Sequence, residues 1–165
     1  MSTATRRTRP ARQAATNTAV DPLALERQVC FALAIASRSV LGIYRPLLEP
    51  MGLTHPQYLV MLALWGESPL SVKAIGTLLQ LDSATLSPLL KRLETGGLVT
   101  RTRSSSDERQ LAVELTGAGR ALRKQAERIP PAVVARLGIG LPELESLHAA
   151  LTRVIAAARE AGVRP

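Results

Sequence analysis

Cys30 is the only cysteine in this chain of 165 residues and its one candidate for thiol chemistry. The deprotonated thiol is the reactive form, so chemistry at Cys30 needs neighbours able to hold a negative charge. With no second cysteine, neither an intrachain disulfide nor a cysteine-based zinc site can form, which points to a reducing compartment. The bland alternative is a small, inert core residue on an amphipathic helix. A second group offers different chemistry. Ser83, Thr85, Ser87, Pro88, Lys91 and Arg92 stay on the free side of a segment whose leucines share the other side, and Arg101, Arg103 and Arg109 come after it. Hydroxyls and cations of this kind suit base edges and phosphates, and they equally suit a solvated surface.

The elements that must position these groups can be read from hydrophobic period and punctuation. Asp21 and Pro22 fit an N-cap and first helical residue, and Leu25, Val29, Leu33, Ala36, Val40 and Ile43 recur at helical spacing. The expected helix runs on to Tyr44 and Leu47, carries Cys30 about two turns inside it, and is disturbed or ended by Pro46 and Pro50. Thr54 caps a second helix from His55 to Gly66, with Tyr58, Leu59, Leu62, Ala63 and Trp65 as core candidates. After a break at Pro69-Leu70-Ser71, Ser71 caps a short helix whose inward face is Val72, Ile75, Leu78 and Leu79. Asp82 opens the next helix, with Leu86, Leu89, Leu90 and Leu93 inward and Gly96-Gly97 as its stop. Residues 98–103 and 110–115 alternate as strands should and form a hairpin with a charged tip. Thr116 caps a helix over about 117–128, and Pro130-Pro131 interrupts or kinks the stretch before Leu137-Gly138. Pro142 starts a last helix to about Ala161 with a stripe of Leu144, Leu147, Leu151, Val154 and Ile155.

The formal net charge is +8, and every basic residue except Lys73, Lys91 and Lys124 is arginine. Residues 1–20 contain Arg6, Arg7, Arg9 and Arg12 and no acid, which reads as a disordered basic arm, or by composition alone as a transit peptide. The remainder, 21–165, reads as one basic domain. Such a surplus favours DNA, RNA or an anionic membrane through long-range attraction and counterion release. No uninterrupted apolar run approaches the roughly 20 residues that cross a bilayer, so the expectation is a cytoplasmic protein with no membrane partner. The fold class expected is mainly α with a small β-hairpin wing. Helix, short helix, outward-polar helix and hairpin is the order of a winged helix-turn-helix, whose second helix enters the major groove of double-stranded DNA.

These residues carry a family resemblance. Leu81-Asp-Ser-Ala-Thr-Leu-Ser-Pro-Leu-Leu-Lys-Arg-Leu-Glu94, Gly97-Leu-Val-Thr-Arg101 and Asp107-Glu-Arg-Gln110 resemble the recognition helix and wing of the MarR family. The resemblance implies a repressor built as an intertwined homodimer, with a winged helix-turn-helix over about 55–115 and dimerisation helices over about 22–50 and 117–161. Two-fold symmetry would set the recognition helices roughly 34 to 36 Å apart on a near-palindromic operator. It also implies that Arg109 enters a minor groove with Asp107 bracing it; an ordinary turn salt bridge is the alternative.

Val29-Cys-Phe-Ala-Leu-Ala-Ile-Ala-Ser-Arg38, Tyr44-Arg-Pro-Leu-Leu48 and Thr54-His-Pro-Gln-Tyr-Leu59 narrow the likeness to the one-cysteine type of organic-hydroperoxide-resistance regulator. This implies a redox sensor at Cys30, supported by Tyr44 and His55 of the other subunit. His55 stands where the branch usually has Tyr, and Ala34 where a third Tyr often sits; a histidine N–H can donate, and its cation would lower a nearby thiol pKa. Oxidation would give a sulfenic acid, resolved by a low-molecular-weight thiol or a backbone nitrogen. Apolar Phe31, Leu33 and Leu62 would favour organic hydroperoxides over hydrogen peroxide. No cofactor or metal is implied, and no enzymatic turnover. Three rivals stay open: a repressor released by an apolar small molecule with Cys30 structural, a thiol peroxidase, and a basic protein that coats DNA without sequence preference.

Overall fold

The computed structural model describes residues 21, 23–103 and 111–163, and the chain divides into two compact units, 1–37 and 38–165, with the division inside the first long helix. That helix, α1, spans Val29–Leu48 and starts later than its hydrophobic period suggests. Asp21 spends its capping capacity on a local turn: its carboxylate accepts from the Leu23 amide at 2.9 Å and its carbonyl from Ala24 at 3.2 Å. A short 3-10 turn, Leu25–Arg27, comes next, and Gln28 is extended at ψ 118°. Local Asx bonding has won over helix continuation. Cys30 is therefore the second residue of α1, in its first turn, and not two turns inside. Pro46 does not end the helix at once: it lies in the last turn, where its missing N–H forgoes one bond to the Gly42 carbonyl, and the helix stops two residues later at Leu48. The stretch Val29–Met51 is long and apolar enough to cross a membrane by length and composition, with mean hydropathy 1.3. It shows no uninterrupted apolar run in sequence because Arg38, Arg45 and Glu49 punctuate it.

α2, His55–Gly66, begins where Thr54 meets Gln57: the Thr54 amide and hydroxyl both donate to Gln57 Oε1 at 2.9 Å. Its buried residues are Gln57, Tyr58, Val60, Met61 and Leu64, while Leu62, an expected core residue, is 43% exposed. A helix apolar nearly all round gives the period no means of choosing a face. α3, Val72–Leu79, is capped by the Ser71 hydroxyl, which accepts from the Ala74 amide at 3.0 Å. Ile75 is buried, but Leu78 is exposed, against expectation. Gln80 turns the chain at φ 56°, and a Cβ at Gly76 would lie 2.9 Å from the Leu81 carbonyl oxygen, so the turn into the next helix closes only around glycine. α4, Ser83–Thr95, is capped by the Asp82 carboxylate on the Thr85 amide at 2.6 Å and buries Leu86, Leu90 and Leu93.

The hairpin of β2, Val99–Arg103, and β3, Leu111–Leu115, carries a third strand that the sequence did not disclose. β1, Leu70–Ser71, lies on the far side of β3 with Leu70 opposite Val113, giving the antiparallel order β1-β3-β2. Two residues are too few to show a period, so in sequence this segment reads only as a break. α5, Gly117–Ala126, α6, Ile129–Leu137, and α7, Leu141–Glu160, complete the chain. Pro130 and Pro131 start α6 and do not merely interrupt the path, since first-turn amides have no intrahelical acceptor to lose. Among the described residues the core lies within the larger unit and joins Leu48, Met61, Leu64, Ile75, Leu86, Leu90, Leu93, Val99 and Val113.

Gly119 holds the root of the wing. Its amide donates to Thr116 Oγ1 at 3.0 Å, and its carbonyl accepts from the Trp65 indole at 2.9 Å. Thr116 donates its amide to the Leu98 carbonyl at 3.0 Å and its hydroxyl to Gly97 at 2.6 Å. A Cβ on Gly119 would sit 2.1 Å from the Leu98 carbonyl oxygen, a backbone atom that cannot swing away. Gly119→Ala is expected to cost about 3 kcal/mol, roughly 10 °C in Tm, by overpacking. Thermal melting followed by circular dichroism checks this; a melt unchanged from the parent would mean the root can relax.

Candidate functional site

α4 presents two unlike sides. Leu86, Leu90 and Leu93 are buried and Leu89 half-buried, while Ser83, Thr85, Ser87, Pro88, Lys91 and Arg92 are all exposed. The six candidates thus share one helix and lie open to solvent with no large apolar side chain among them. The capping bond from Thr85 to Asp82 holds that carboxyl below the usual carboxylate range. Ser87 donates its hydroxyl to the Ser83 carbonyl at 2.6 Å, which leaves its oxygen as an acceptor for an outside donor. Pro88 has no N–H to give the Ala84 carbonyl, so α4 forgoes one helix bond in its exposed first half. Hydroxyls, two cations and a free acceptor on a helix capped at its first turn can meet both phosphates and base edges. Asp107 and Arg109, the expected wing pair, lie outside the described residues.

Arg101 occupies a different place from the one its sequence position suggests. It does not extend the charged tip: Nε donates to Glu94 Oε2 at 2.9 Å, Nη2 donates to the same oxygen, and the guanidinium holds the Glu94 carboxyl below the usual range. In sequence Glu94 figures only as part of a motif. The signal that could have found the pair is opposite charge on either side of a glycine turn.

Cys30 is exposed, in the first turn of α1. First-turn amides have no carbonyl within the helix to bond, and they carry the positive end of the helix dipole. Within the larger unit, Tyr44 and His55 meet directly, ring centroids 5.0 Å apart and edge to face at 72°. Burial pushes the His55 imidazole below its ordinary 6.5, toward the neutral form. The cation anticipated from sequence is thus disfavoured, although the neutral ring keeps one N–H. Tyr44 also lies 6.0 Å from Tyr58, and Tyr58 lies 6.2 Å from Trp65, whose indole reaches Gly119. Burial, and then its neighbour Tyr44, push the Tyr58 phenol up from 10.0, so it stays protonated. An aromatic run therefore extends from the corner of α1 and α2 to the root of the wing. The sequence marks Tyr58 as core alone, and helical spacing from His55 is the signal that it also belongs to this run.

Residues 42–126 match the family of SarA/Rot transcriptional regulators. Over 131 residues the chain is 43% identical to the organic hydroperoxide resistance transcriptional regulator of Bacillus subtilis, covering 79% of this chain and 89% of that one. It is 48% identical over 127 residues to the HTH-type transcriptional regulator TtmR of Methylorubrum extorquens, covering 77% of this chain but only 65% of TtmR. In three dimensions it resembles AbfR of Staphylococcus epidermidis, solved on DNA in a reduced form (TM-score 0.67, 36% identity, 81% of this chain, 93% of AbfR) and in an overoxidized one (TM-score 0.66).

Proposed function

This chain belongs to the SarA/Rot group of MarR-like, winged-helix, DNA-binding transcriptional regulators, and we propose that it is a cytoplasmic homodimeric repressor that leaves its operator when an organic hydroperoxide oxidises Cys30. One observation carries the reading: two long helices leave large apolar side chains in water, and one of them holds Cys30 in its first turn. On α1, Val29, Phe31, Leu33, Ile35 and Leu41 are exposed; on α7, Leu147, Val154 and Ile155 are, and no α7 residue is buried. Exposed apolar surface of this extent calls for a partner surface. A second copy supplies one by two-fold symmetry, and the same symmetry spaces two α4 helices on a near-palindrome. Burial against a copy also accounts for the membrane-like composition of α1.

In the proposed dimer, Tyr44 and His55 of the partner subunit face Cys30 and donate hydrogen bonds to its thiolate. The thiolate sulfur attacks the outer oxygen of the hydroperoxide; an S–O bond forms as O–O breaks, sulfur gives up two electrons, and the alkoxide leaves and takes a proton to become the alcohol. A low-molecular-weight thiol then attacks the sulfenic sulfur, forming S–S and releasing water. The adduct has no room within packed helices, and the aromatic run from Tyr44 through Tyr58 and Trp65 to Gly119 connects that corner with the wing root. AbfR, solved on DNA both reduced and overoxidized, supports redox chemistry in relatives of this fold. The homologues are transcriptional regulators, which supports a sensor without turnover. A cavity of about 570 Å³ bordered by Leu41, Arg45, Leu53 and His55 favours a second reading, release by an apolar small molecule with Cys30 structural.

The test is a gel-shift series on the DNA upstream of the protein's own gene. Reduced protein should bind, an organic hydroperoxide should release it, and hydrogen peroxide at the same dose should not. Equal release by both oxidants, or by neither, overturns the organic-hydroperoxide reading. A separate expectation concerns α4: Lys91→Gln and Arg92→Gln should each weaken binding to all sequences alike and reduce the slope of log K against log salt by about 1. Salt titrations check it, and an unchanged slope would remove that residue from the phosphate contacts.

A further inference from the structure

We propose that the Glu94–Arg101 ion pair is a positioning device for DNA recognition: through Glu94, Arg101 fixes the wing against α4 and makes no DNA contact of its own. The inference rests on the reading of α4 as the DNA-reading helix. Glu94 stands in the last turn of α4, and Arg101 in the middle of β2 opposite Val113. Thr100 and Thr102 are exposed, whereas Arg101 is half-buried and, two residues from buried Val99, shares its face of the sheet. Strand alternation therefore turns Arg101 inward, toward α4. There its Nε and Nη2 both donate to one Glu94 oxygen, with the two side chains 29% and 36% exposed, so the attraction is only partly screened.

The turn between them is already held by the backbone. Gly96 donates to Arg92 at 2.9 Å, Gly97 to Glu94 at 2.9 Å and Leu98 to Leu93 at 3.0 Å, while Gly97 supplies φ 70°. Those bonds fix where β2 leaves α4. Beyond Val99 the described β2 backbone pairs with β3, which β1 holds in turn at Leu70–Val113 and Ser71–Ala112, so the backbone ties β2 to the sheet and not to α4. A directional side-chain link two residues further along ties that edge strand directly to α4. Any rotation about the root is carried outward along β2 and β3, so the register between α4 in one groove and the wing in the next depends on this pair. Recognition needs both elements placed at once; loose electrostatic association does not.

Specific and non-specific binding therefore separate the roles. Arg101→Gln, Glu94→Gln and the double variant are to be titrated with operator and with random duplex at several salt concentrations, alongside thermal melts. Each single variant should lose about tenfold in operator affinity with random-DNA affinity and salt slope unchanged, and the double variant should be no weaker than either single one. The charge-reversed pair, Glu94→Arg with Arg101→Glu, should recover most of the loss. A salt slope lower by about 1 in Arg101→Gln, with Glu94→Gln silent, would make Arg101 a phosphate contact and overturn the proposal. Parallel losses on operator and random DNA, with a lowered Tm, would reduce the pair to a structural role. If the parent binds and all variants match it, the positioning role alone fails; if the parent does not bind, the reading of α4 fails first.

Discussion

Leu147→Glu and Ile155→Glu, made together, are expected to convert the protein to a monomer and to lower operator affinity by about a hundredfold or more. α7 is 20 residues long and buries none of them within the chain, with Leu147 at 51% and Ile155 at 45% exposure. The two residues share a stripe with Leu144 and Leu151, which are half-buried. In a two-fold dimer each occurs twice, once per subunit, and burying a side chain of this size contributes about 1.5 to 3 kcal/mol. A carboxylate at the same place must shed its water with no partner to receive it, so the substitution both removes attraction and adds a cost. Because neither residue belongs to the core of its own chain, the winged helix should stay folded, with its circular dichroism unchanged. The affinity loss then comes from geometry: one half-site bound at a time forfeits the effective concentration that a tethered second half enjoys. Sedimentation velocity and operator titration are the checks. A variant that remains dimeric with parental affinity would place the interface elsewhere than α7.

That expectation leans on a feature the sequence carries openly. Periods of three and four are visible wherever a helix has one apolar side, as in α4 and α7, and caps such as Thr54, Ser71, Asp82 and Thr116 mark the starts of α2, α3, α4 and α5. Each element that stayed hidden did so for a physical reason. The start of α1 turns on a contest between Asp21 capping a helix and Asp21 closing a local turn, and both outcomes use the same side chain. β1 is two residues long, shorter than any period. Leu62 has no side assigned by its spacing because apolar neighbours surround it in sequence, and Leu78, which its spacing from Ile75 turns inward, is exposed because Ile75 and half-buried Leu79 take the covered side.

The site is legible in composition and less so in geometry. All six candidates on α4 are exposed, since polarity against a leucine stripe is a one-element question. Arg101 escapes a reading confined to its own strand because its partner, Glu94, lies in another element, and only opposite charge across the Gly96-Gly97 turn links the two in sequence. The charge state of His55 is likewise undecidable in sequence: its preference for the neutral form comes from burial beside Tyr44.

Cys30→Ser should bind operator as tightly as the reduced parent and remain bound at doses of organic hydroperoxide that release the parent completely. Two arguments set this expectation. Cys30 is exposed within its chain, in the first turn of α1, so exchanging sulfur for oxygen should leave the fold and the DNA-reading side intact. The chemistry, by contrast, is lost outright: a serine hydroxyl stays protonated near neutral pH and forms no sulfenic acid, so neither the S–O bond nor the later mixed disulfide can arise. Intact-mass measurement provides the second readout. Parent protein treated with hydroperoxide and then a small thiol should gain one thiol adduct per chain, and the variant none. Tyr44→Phe divides the case further. Loss of one phenolic hydroxyl should slow the oxidation of Cys30 while leaving DNA binding and the edge-to-face packing on His55 in place, because the ring itself is retained. Release of Cys30→Ser at the parental dose would remove the thiol from the switch and shift weight to the cavity beside Leu41, Arg45, Leu53 and His55, where a bound apolar molecule would act on the same corner of α1 and α2.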